Sequence, residues 1–364
     1  TARVDALIFV GLPLEVEGKL YNVAAALNRG KILGLIPKVN LPNYAEYYEA
    51  RQFTPADGRM RMVELGGEQI PFGTRILFSC LQMPRLVVAA EICEDLWVPA
   101  PPSVEHAMAG ATMIVNLSAG DEITGKDTYR RNLVTGQSAR LVCGYLYATA
   151  GEGESSSDLV FGGHNLIAEN GALLAEARRF ENQTVYGDID VNRLATERRK
   201  MTTFHVKGQE NYLKVEFNLF PRDTDLTRTF PAHPFVPDAR QERDKRCDEI
   251  LTIQAMGLKK RLEHTGCQCA VLGISGGLDS TLALLVTVRA FDYLNIPRKQ
   301  VRAVTMPCFG TTDRTYRNAC ELTRRLGATL QEVDIREAVT VHFRDIGHDS
   351  QVHDVTYENS QARE

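Results

Sequence analysis

The chain has 364 residues, of which 44% are hydrophobic, and its formal net charge is -4. This length predicts about two domains, and the scattered lysines and arginines give no indication of nucleic acid or an anionic membrane surface as a partner. The sequence has no apolar run of membrane-spanning length and no signal-peptide pattern, so we expect a cytoplasmic protein whose eight cysteines are reduced.

Short apolar runs separated by turns fill the chain from residue 1 to about 190. Residues 28–31 and 170–171 tolerate positive φ between two apolar runs, which predicts a β-hairpin at each place. Residues 103–109 and 128–140 fit helices, so the first domain is predicted to be α+β or α/β. The predicted strands are 6–12, 20–27, 31–38, 75–80, 86–93, 111–117, 141–148, 165–169 and 185–190.

The pattern changes after residue 220. Residues 221–240 contain four prolines and no sustained periodicity, which predicts a linker. Strands and helices then alternate, as is typical of a parallel, doubly wound sheet that binds ligands at the carboxyl ends of its strands. The predicted elements are a helix at 241–262, a strand ending at 272, a helix at 279–290, a strand at 301–306, a helix at 312–326 and a strand at 329–333.

A glycine-rich loop at 275–280 joins a predicted strand to a predicted helix. Gly276 and Gly277 let the backbone approach an anion closely, and the free N–H groups at the helix start favour negative charge. A Walker-type loop would need a lysine where Asp279 stands, so the kinase and GTPase interpretation fails. The alternative is an ordinary junction of small residues between a strand and a helix.

This phosphate loop resembles the PP-loop of the N-type ATP pyrophosphatases, which adenylate a carboxyl or carbonyl oxygen and release pyrophosphate. The resemblance implies that the loop grips the pyrophosphate of ATP and that Asp279 also helps to place Mg²⁺. Met306 and Thr311, at the end of the next predicted strand and just after it, are expected to contact adenine or ribose. The ATP-binding residues implied are Ser275, Gly276, Gly277, Leu278, Asp279, Ser280, Met306 and Thr311.

Cys93 follows the apolar run 86–90 and is flanked by acidic residues. A turn at a strand end can present a nucleophile to a cleft and aim the next backbone N–H at an oxyanion. A buried core cysteine is the commoner fate of this residue type. The spacing alone therefore leaves both interpretations open.

The segment Pro37-Lys38-Val39-Asn40-Leu41-Pro42-Asn43-Tyr44 precedes Cys93-Glu94-Asp95-Leu96-Trp97. Together the two segments resemble the nitrilase superfamily, specifically the glutaminase domain of glutamine-dependent NAD⁺ synthetases. The resemblance implies that Cys93 attacks the side-chain amide of glutamine, that Lys38 stabilises the oxyanion and favours the thiolate, and that Glu49 orients Lys38. The implied glutamine-binding residues are Tyr44, Glu94 (through its backbone N–H), Trp97, Ser118 and Lys126.

The resemblance also implies an overall α/β architecture: a nitrilase-like α-β-β-α sandwich at 1–220, a linker at 221–240 and a doubly wound parallel-sheet PP-loop domain at 241–364. Residues 354–364 resemble the segment that helps to bind the dinucleotide, with Asn359, Gln361 and Arg363 as contacts to deamido-NAD⁺. The implied reaction is the amidation of deamido-NAD⁺ with ammonia from glutamine, using ATP and Mg²⁺, in a homo-oligomer.

The nitrilase-type triad also contains a general-base glutamate upstream of the lysine, and only 37 residues precede Lys38. Glu15 and Glu17 fall in a predicted hairpin turn and do not fit that role. The missing glutamate and the presence of Thr1 in place of an initiator Met predict that the sequence is a segment that lacks the start of the first domain and the end of the second. We expect such a segment to be inactive by itself. The alternatives are another PP-loop glutamine amidotransferase and a non-catalytic dinucleotide-binding module that has lost its base.

Overall fold

The computed structural model of the chain describes residues 3–154 and 159–363, with only the backbone described at 363. The chain forms two compact units, Thr1–Thr229 and Phe230–Glu364. Their boundary lies inside the predicted linker 221–240. Residues 218–239 contain neither helix nor strand, so the first unit is separated in sequence from the first helix of the second.

The first unit contains a five-stranded sheet in the order β1-β2-β3-β5-β4. Its first three strands are antiparallel, and β3 pairs with β5 in parallel. Two-residue turns with positive φ join β1 to β2 and β2 to β3, which confirms the hairpin predicted at 28–31. The strands are β1 (Leu7–Val16), β2 (Lys19–Asn28), β3 (Lys31–Pro37), β4 (Arg61–Leu65) and β5 (Glu68–Phe72).

A seven-stranded sheet in the order β11-β10-β9-β8-β7-β6-β12 forms the rest of this unit. Its three central strands are parallel and are connected through helices, so their carboxyl ends meet at one edge. The strands are β6 (Ile76–Cys80), β7 (Val87–Ile92), β8 (Met113–Ser118), β9 (Gly144–Thr149), β10 (Leu166–Glu169), β11 (Ala172–Glu176) and β12 (Leu213–Phe217). The helices are α1 (Pro102–Met108), α2 (Lys126–Leu141) and α3 (Val191–Lys200).

The two sheets pack face to face through a layer of small and aromatic side chains. Ala24, Ala26 and Ile36 from the first sheet belong to one buried cluster with Phe78 and Val88 from the second. The approach is close, because a Cβ placed on Gly34 would lie 3.1 Å from the Phe78 ring. A second buried cluster lies between the seven-stranded sheet and its helices. This arrangement confirms the predicted nitrilase-like sandwich.

The second unit alternates helices with a parallel sheet in the order β13-β14-β15, as predicted. Its elements are α4 (Arg240–Thr265), β13 (Ala270–Gly273), α5 (Leu278–Tyr293), β14 (Val301–Thr305), α6 (Asp313–Leu326), β15 (Thr329–Glu332), α7 (Arg336–Ile346) and α8 (Val355–Arg363). None of the helices in the described part of the chain has both the length and the apolar character that a membrane crossing needs.

The predicted strand at 185–190 is wrong. This segment has no regular structure, although Ile189 packs against Gly144 of β9. Val185 and Ile189 are half-buried, and Tyr186 is exposed. Hydrogen bonds to its carboxylates take the place of a ladder: Asp188 accepts from Thr227 and Arg228, and Asp190 caps α3. The prediction also missed β4, β5, β12, α3 and α7.

Arg198 on α3 is a buried cation that fixes two chain reversals. Its guanidinium donates to the carbonyl oxygens of Ala111 at 2.7 Å, Leu141 at 2.9 Å and Val142 at 3.0 Å. These carbonyls lie before β8 and at the end of α2, where Val142 has a positive φ. Burial lowers the pKa of Arg198 to about 10. The side chain therefore satisfies acceptors that the sheet and helix leave open.

We expect Arg198→Met to destabilise the first unit by roughly 3 kcal/mol or more, because three buried acceptors lose their donor. The neighbouring Arg199 is exposed, so Arg199→Met is a matched control with an expected change within about 0.5 kcal/mol. Urea unfolding followed by the fluorescence of Trp97, the single tryptophan, reports on this unit. Equal losses in both variants would contradict the assigned role.

Candidate active site

A cavity of about 750 Å³ lies in the first unit and is lined by residues that follow the carboxyl ends of β3, β7 and β8. Lys38, Cys93 and Ser118 all line it, as does Glu49 from a short helical turn after β3. Strand pairing brings these residues together from distant parts of the chain. The structure therefore places all three predicted catalytic residues, Lys38, Glu49 and Cys93, in one cavity.

Lys38 is almost fully buried, with 3% of its side chain exposed, and forms an ion pair with Glu49. The other oxygen of Glu49 accepts a hydrogen bond of 2.7 Å from the side-chain amide of Asn22 on β2. The backbone N–H of Lys38 also donates to the Asn22 carbonyl at 2.9 Å. A buried ammonium needs such a partner, because desolvation without one is costly. Asn22 and Glu49 together fix the position of the lysine.

Cys93 begins a 3-10 turn, Cys93–Leu96, directly after β7. It is half-buried, and its φ of 48° lies in the left-handed region that a cysteine seldom adopts. Its backbone N–H donates to Oδ1 of Asn116 at 3.1 Å. Because that N–H is occupied, an oxyanion formed beside the thiol would need other donors, which agrees with the prediction of the Glu94 N–H and Lys38 for that role.

Asp95, inside the same turn, binds the chain that follows Lys38. Its carboxylate accepts from the backbone N–H of Asn40 at 2.8 Å, from the Asn40 side chain at 2.9 Å and from the Val39 N–H at 3.4 Å. It also accepts from the Ile92 N–H at 3.1 Å. Burial raises the pKa of Asp95, although these hydrogen bonds act in the opposite direction. One carboxylate thus ties the lysine loop to the cysteine turn.

The residues predicted to bind glutamine fall into two groups: Ser118 lines the cavity, and an outer group of Tyr44, Glu94, Trp97 and Lys126 lies outside it. Tyr44 donates to Glu94 at 2.7 Å, and the ammonium of Lys126 lies 5.4 Å from the centre of the Trp97 ring. Ser118 lines the cavity and hydrogen-bonds the Tyr147 hydroxyl at 2.6 Å. Tyr44, Glu94, Trp97 and Lys126 are not among the described residues that line the cavity.

Tyr47 and Asp121 connect the outer group to the cavity. The Tyr47 hydroxyl and the Lys126 ammonium both donate to the Asp121 carboxylate, and Tyr47 itself lines the cavity. Burial acts to raise the pKa of Asp121, but the hydrogen bonds from Lys126 and Tyr47 outweigh it and lower that pKa. Local sequence does not single out Tyr47 or Asp121, and the same holds for Asn22 and Asp95.

The two glutamates considered as bases lie elsewhere. Glu17 is in the turn between β1 and β2 and is ion-paired with Arg61 at 2.8 Å. Among the described residues that line the cavity, the glutamates are Glu46, Glu49 and Glu154, and neither Glu15 nor Glu17 is present. The structure therefore agrees with the exclusion of both from the base role.

In the second unit, the phosphate loop joins β13 to α5 as predicted. The Ser275 and Ser280 hydroxyls are 3.2 Å apart, and the Gly277 N–H donates to Ser275 Oγ at 3.3 Å. Gly276 has a φ of 79°, and a Cβ there would lie 2.0 Å from the Thr315 carbonyl oxygen. Only glycine fits this position. The loop is exposed at the start of α5, where unpaired N–H groups favour an anion.

Leu278 and Asp279 begin α5, and Leu278 is 88% exposed. The described residues contain no group of three His, Cys, Asp or Glu side chains that could hold a metal ion.

The remaining predicted nucleotide contacts lie after β14 and on α8. Met306 follows β14 directly, and Thr311 Oγ1 accepts from the Cys308 N–H at 3.0 Å. Gln361 accepts from the Gly310 N–H at 2.9 Å, which joins α8 to this loop. Asn359 is exposed on α8, and the side chain of Arg363 lies outside the described part of the chain.

Glu91 lies on β7, two residues before Cys93, and only 1% of its surface is exposed. It accepts hydrogen bonds from the Tyr145 hydroxyl and, at 2.8 Å, from the Ser103 N–H at the start of α1. Burial raises the pKa of Glu91 to about 7, and the negative charge of Asp95 acts in the same direction.

Comparison with known proteins gives two family matches. Residues 1–199 match the carbon-nitrogen hydrolase family, and residues 250–364 match the NAD synthase family. Glutamine-dependent NAD(+) synthetases are 41% identical over 376 residues in Mycobacterium tuberculosis strain H37Rv and 42% over 377 in Mycobacterium leprae, in each case covering 100% of this chain and 55% of the relative. The synthetase of Aquifex aeolicus is 27% identical over 369 residues, covering 100% of this chain and 58% of that protein. The chain spans little more than half the length of these relatives.

The raised pKa of Glu91 predicts a pH-dependent stability difference. The folded protein keeps this proton up to about pH 7, whereas the unfolded chain releases it near 4.5, so the contribution of Glu91 to stability falls as the pH rises between these values. As the pH rises through this range, the free energy of unfolding of Glu91→Gln should therefore increase relative to that of the wild type by on the order of 3 kcal/mol.

Urea unfolding at several pH values, followed by Trp97 fluorescence, measures this difference. Glu105→Gln on α1 is the matched control for removal of a carboxylate, because 65% of the Glu105 side chain is exposed. A constant difference between the wild type and Glu91→Gln would show that Glu91 titrates normally.

Proposed function

This chain belongs to the carbon-nitrogen hydrolase family through residues 1–199 and carries an NAD synthase domain over residues 250–364, and we propose that it acts in the glutamine-dependent synthesis of NAD⁺. The observation that carries the proposal is the meeting of Lys38, Glu49 and Cys93 in one cavity. The phosphate loop of the second unit supplies the complementary site for ATP.

In the first unit, Cys93 Sγ attacks the side-chain amide carbon of glutamine. The resulting oxyanion is stabilised by the Lys38 ammonium and by the Glu94 N–H, which act on charge that develops only during the reaction. The proton lost from the Cys93 thiol passes to the amide nitrogen, which leaves as ammonia when the intermediate collapses to a thioester. Water then attacks the thioester, releases glutamate and restores the thiol. Glu49 holds Lys38 in place through their ion pair. Ser118 lines the cavity and would contact the glutamine directly. Lys126 would act on it through Asp121 and Tyr47, and the roles of Tyr44 and Trp97 stay predictions.

In the second unit, ATP adenylates the nicotinate carboxylate of deamido-NAD⁺ and pyrophosphate leaves. Ammonia then displaces AMP to give the amide of NAD⁺. Ser275, Gly276, Gly277, Leu278 and Ser280 form the pyrophosphate cradle.

Asp279 would hold Mg²⁺ together with the ATP phosphates, and the ion would neutralise charge on them. Met306 and Thr311 are assigned to the nucleoside of ATP. Asn359, Gln361 and Arg363 are assigned to deamido-NAD⁺.

Identity of 41% over the full chain favours this function over another PP-loop amidotransferase or a non-catalytic dinucleotide-binding module. The predicted substrates are glutamine, ATP and deamido-NAD⁺. A cytoplasmic location, a homo-oligomer and inactivity of the isolated chain stay predictions.

We expect Cys93→Ala, in the protein that carries this sequence, to abolish NAD⁺ formation from glutamine and to spare its formation from ammonia. Lys38→Met should have the same pattern, because losing an oxyanion donor typically costs about 10²–10³ in rate. Steady-state assays with each nitrogen source provide the measurement.

Cys80→Ala is the control for loss of a thiol, because Cys80 is buried in β6 and is not among the described residues that line the cavity. It should keep glutamine-supported turnover. Turnover with glutamine in Cys93→Ala would overturn the assignment of the nucleophile.

For the phosphate loop, we expect Gly276→Ala to stop pyrophosphate release even when ammonia is supplied. The added methyl group would overlap the Thr315 carbonyl, and the φ of 79° disfavours alanine. Gly257→Ala on α4 is the matched control, since its Cβ would meet nothing within 4 Å. Pyrophosphate release is measured together with glutamine hydrolysis, which should largely survive. Normal pyrophosphate release in Gly276→Ala would make the loop a structural turn only.

A further inference from the structure

A line of buried hydrogen bonds connects the Glu91 carboxylate to the backbone N–H of Cys93. It runs through side chains of two neighbouring strands. Tyr145 on β9 donates to the Glu91 carboxylate. Asn116 on β8 donates through Nδ2 to the Tyr145 hydroxyl oxygen at 3.2 Å, and its Oδ1 accepts from the Cys93 N–H at 3.1 Å. All three side chains are almost fully buried, so solvent does not supply alternative partners.

The charge on the Glu91 carboxylate determines which group donates and which accepts in each of these hydrogen bonds. A carboxylate can only accept hydrogen bonds, so Tyr145 must give its single proton to Glu91. The Tyr145 oxygen is then free only to accept, which requires the NH₂ group of Asn116 to face it. The carbonyl oxygen of Asn116 is thereby turned towards the Cys93 N–H.

We infer that ionised Glu91 is a positioning residue for the nucleophile, because it fixes the orientation of the Asn116 amide that holds the turn at Cys93. This inference rests on the proposed role of Cys93. When Glu91 gains a proton, its O–H can donate to Tyr145, and Tyr145 can donate to Asn116. The amide then turns its NH₂ group towards the Cys93 N–H, two donors face each other, and the left-handed turn loses its support.

The groups that face Glu91 come from several elements of the first unit. Tyr145 lies on β9, the Ser103 N–H on α1 and the Asp95 carboxylate in the cysteine turn. The thiol of Cys143, just before β9, is also close enough for its pKa to respond to Glu91. Burial raises the pKa of Glu91 to about 7, which places this reorientation near neutral pH.

The backbone N–H of Cys93 offers a direct test that does not need catalysis. The protein is labelled with ¹⁵N-cysteine, and its accessible thiols are alkylated with iodoacetamide to remove their own titration. The Cys93 amide signal is assigned by its loss in Cys93→Ala and followed from pH 5.5 to 8.5. Tyr145→Phe and Glu91→Gln each remove one member of the line with little change in volume.

We expect a transition near pH 7 in the wild type that is absent from both variants. Tyr147→Phe is the matched control, because this second buried tyrosine of β9 hydrogen-bonds Ser118 instead of Asn116, and it should keep the transition. A wild-type signal without a transition, or a transition that persists in Tyr145→Phe or Glu91→Gln, would overturn the inference.

A kinetic measurement separates this inference from the proposed function. Between pH 8 and pH 6 the kcat for glutamine hydrolysis should fall about tenfold more in the wild type than in Glu91→Gln, with KM unaffected, because the ionised fraction of a group with a pKa of about 7 falls by about that factor. The same decline in both proteins would overturn the positioning role. These assays use the protein that carries this sequence, as for Cys93→Ala. If that protein fails to hydrolyse glutamine, the proposed function is refuted, while the amide titration still decides the inference.

Discussion

The carboxylate of Asp95 is the contact on which the geometry of the candidate active site depends. Lys38 and Cys93 follow strands of two different sheets, and the apolar contacts that pack these sheets together are non-directional. Four donors from the lysine loop and the cysteine turn converge on this one side chain. The fold brings the two residues into one cavity, and Asp95 fixes their relative position.

Buried charge organises the rest of the cavity in the same way. The ammonium of Lys38 is paired with Glu49, which is held by Asn22, and the carboxylate of Glu91 is held by Tyr145 and Ser103. Each such group is costly to bury unless its partners are already in place. Donors and dipoles set in this way need little rearrangement during a reaction, which is the condition under which electrostatic stabilisation is most effective.

Much of this arrangement is readable from local sequence, because hydrophobic periodicity predicts most strands and short motifs mark Cys93, Lys38 and the phosphate loop. What local sequence cannot supply is pairing between distant segments. Asn22 lies in mid-strand and acquires its role only through the register of β2 against β3, which places it beside Lys38. The run at 185–190 has the composition of a strand, but no neighbouring strand has an edge available to it. Tyr145 and Asn116 likewise become partners only when β8 and β9 pair.

The edge strand β12 has a consequence for how the first unit forms. It pairs in parallel with β6, although Leu213 and its partner Ile76 are far apart in sequence. Phe217 belongs to the buried layer between the two sheets. Closing so long a loop costs conformational entropy. Contacts between residues far apart in sequence also raise the contact order, which slows folding. During synthesis the edge of β6 therefore stays unpaired until residue 217 has left the ribosome. Over that interval the nascent chain exposes a strand edge that a chaperone can protect or that another nascent chain can bind.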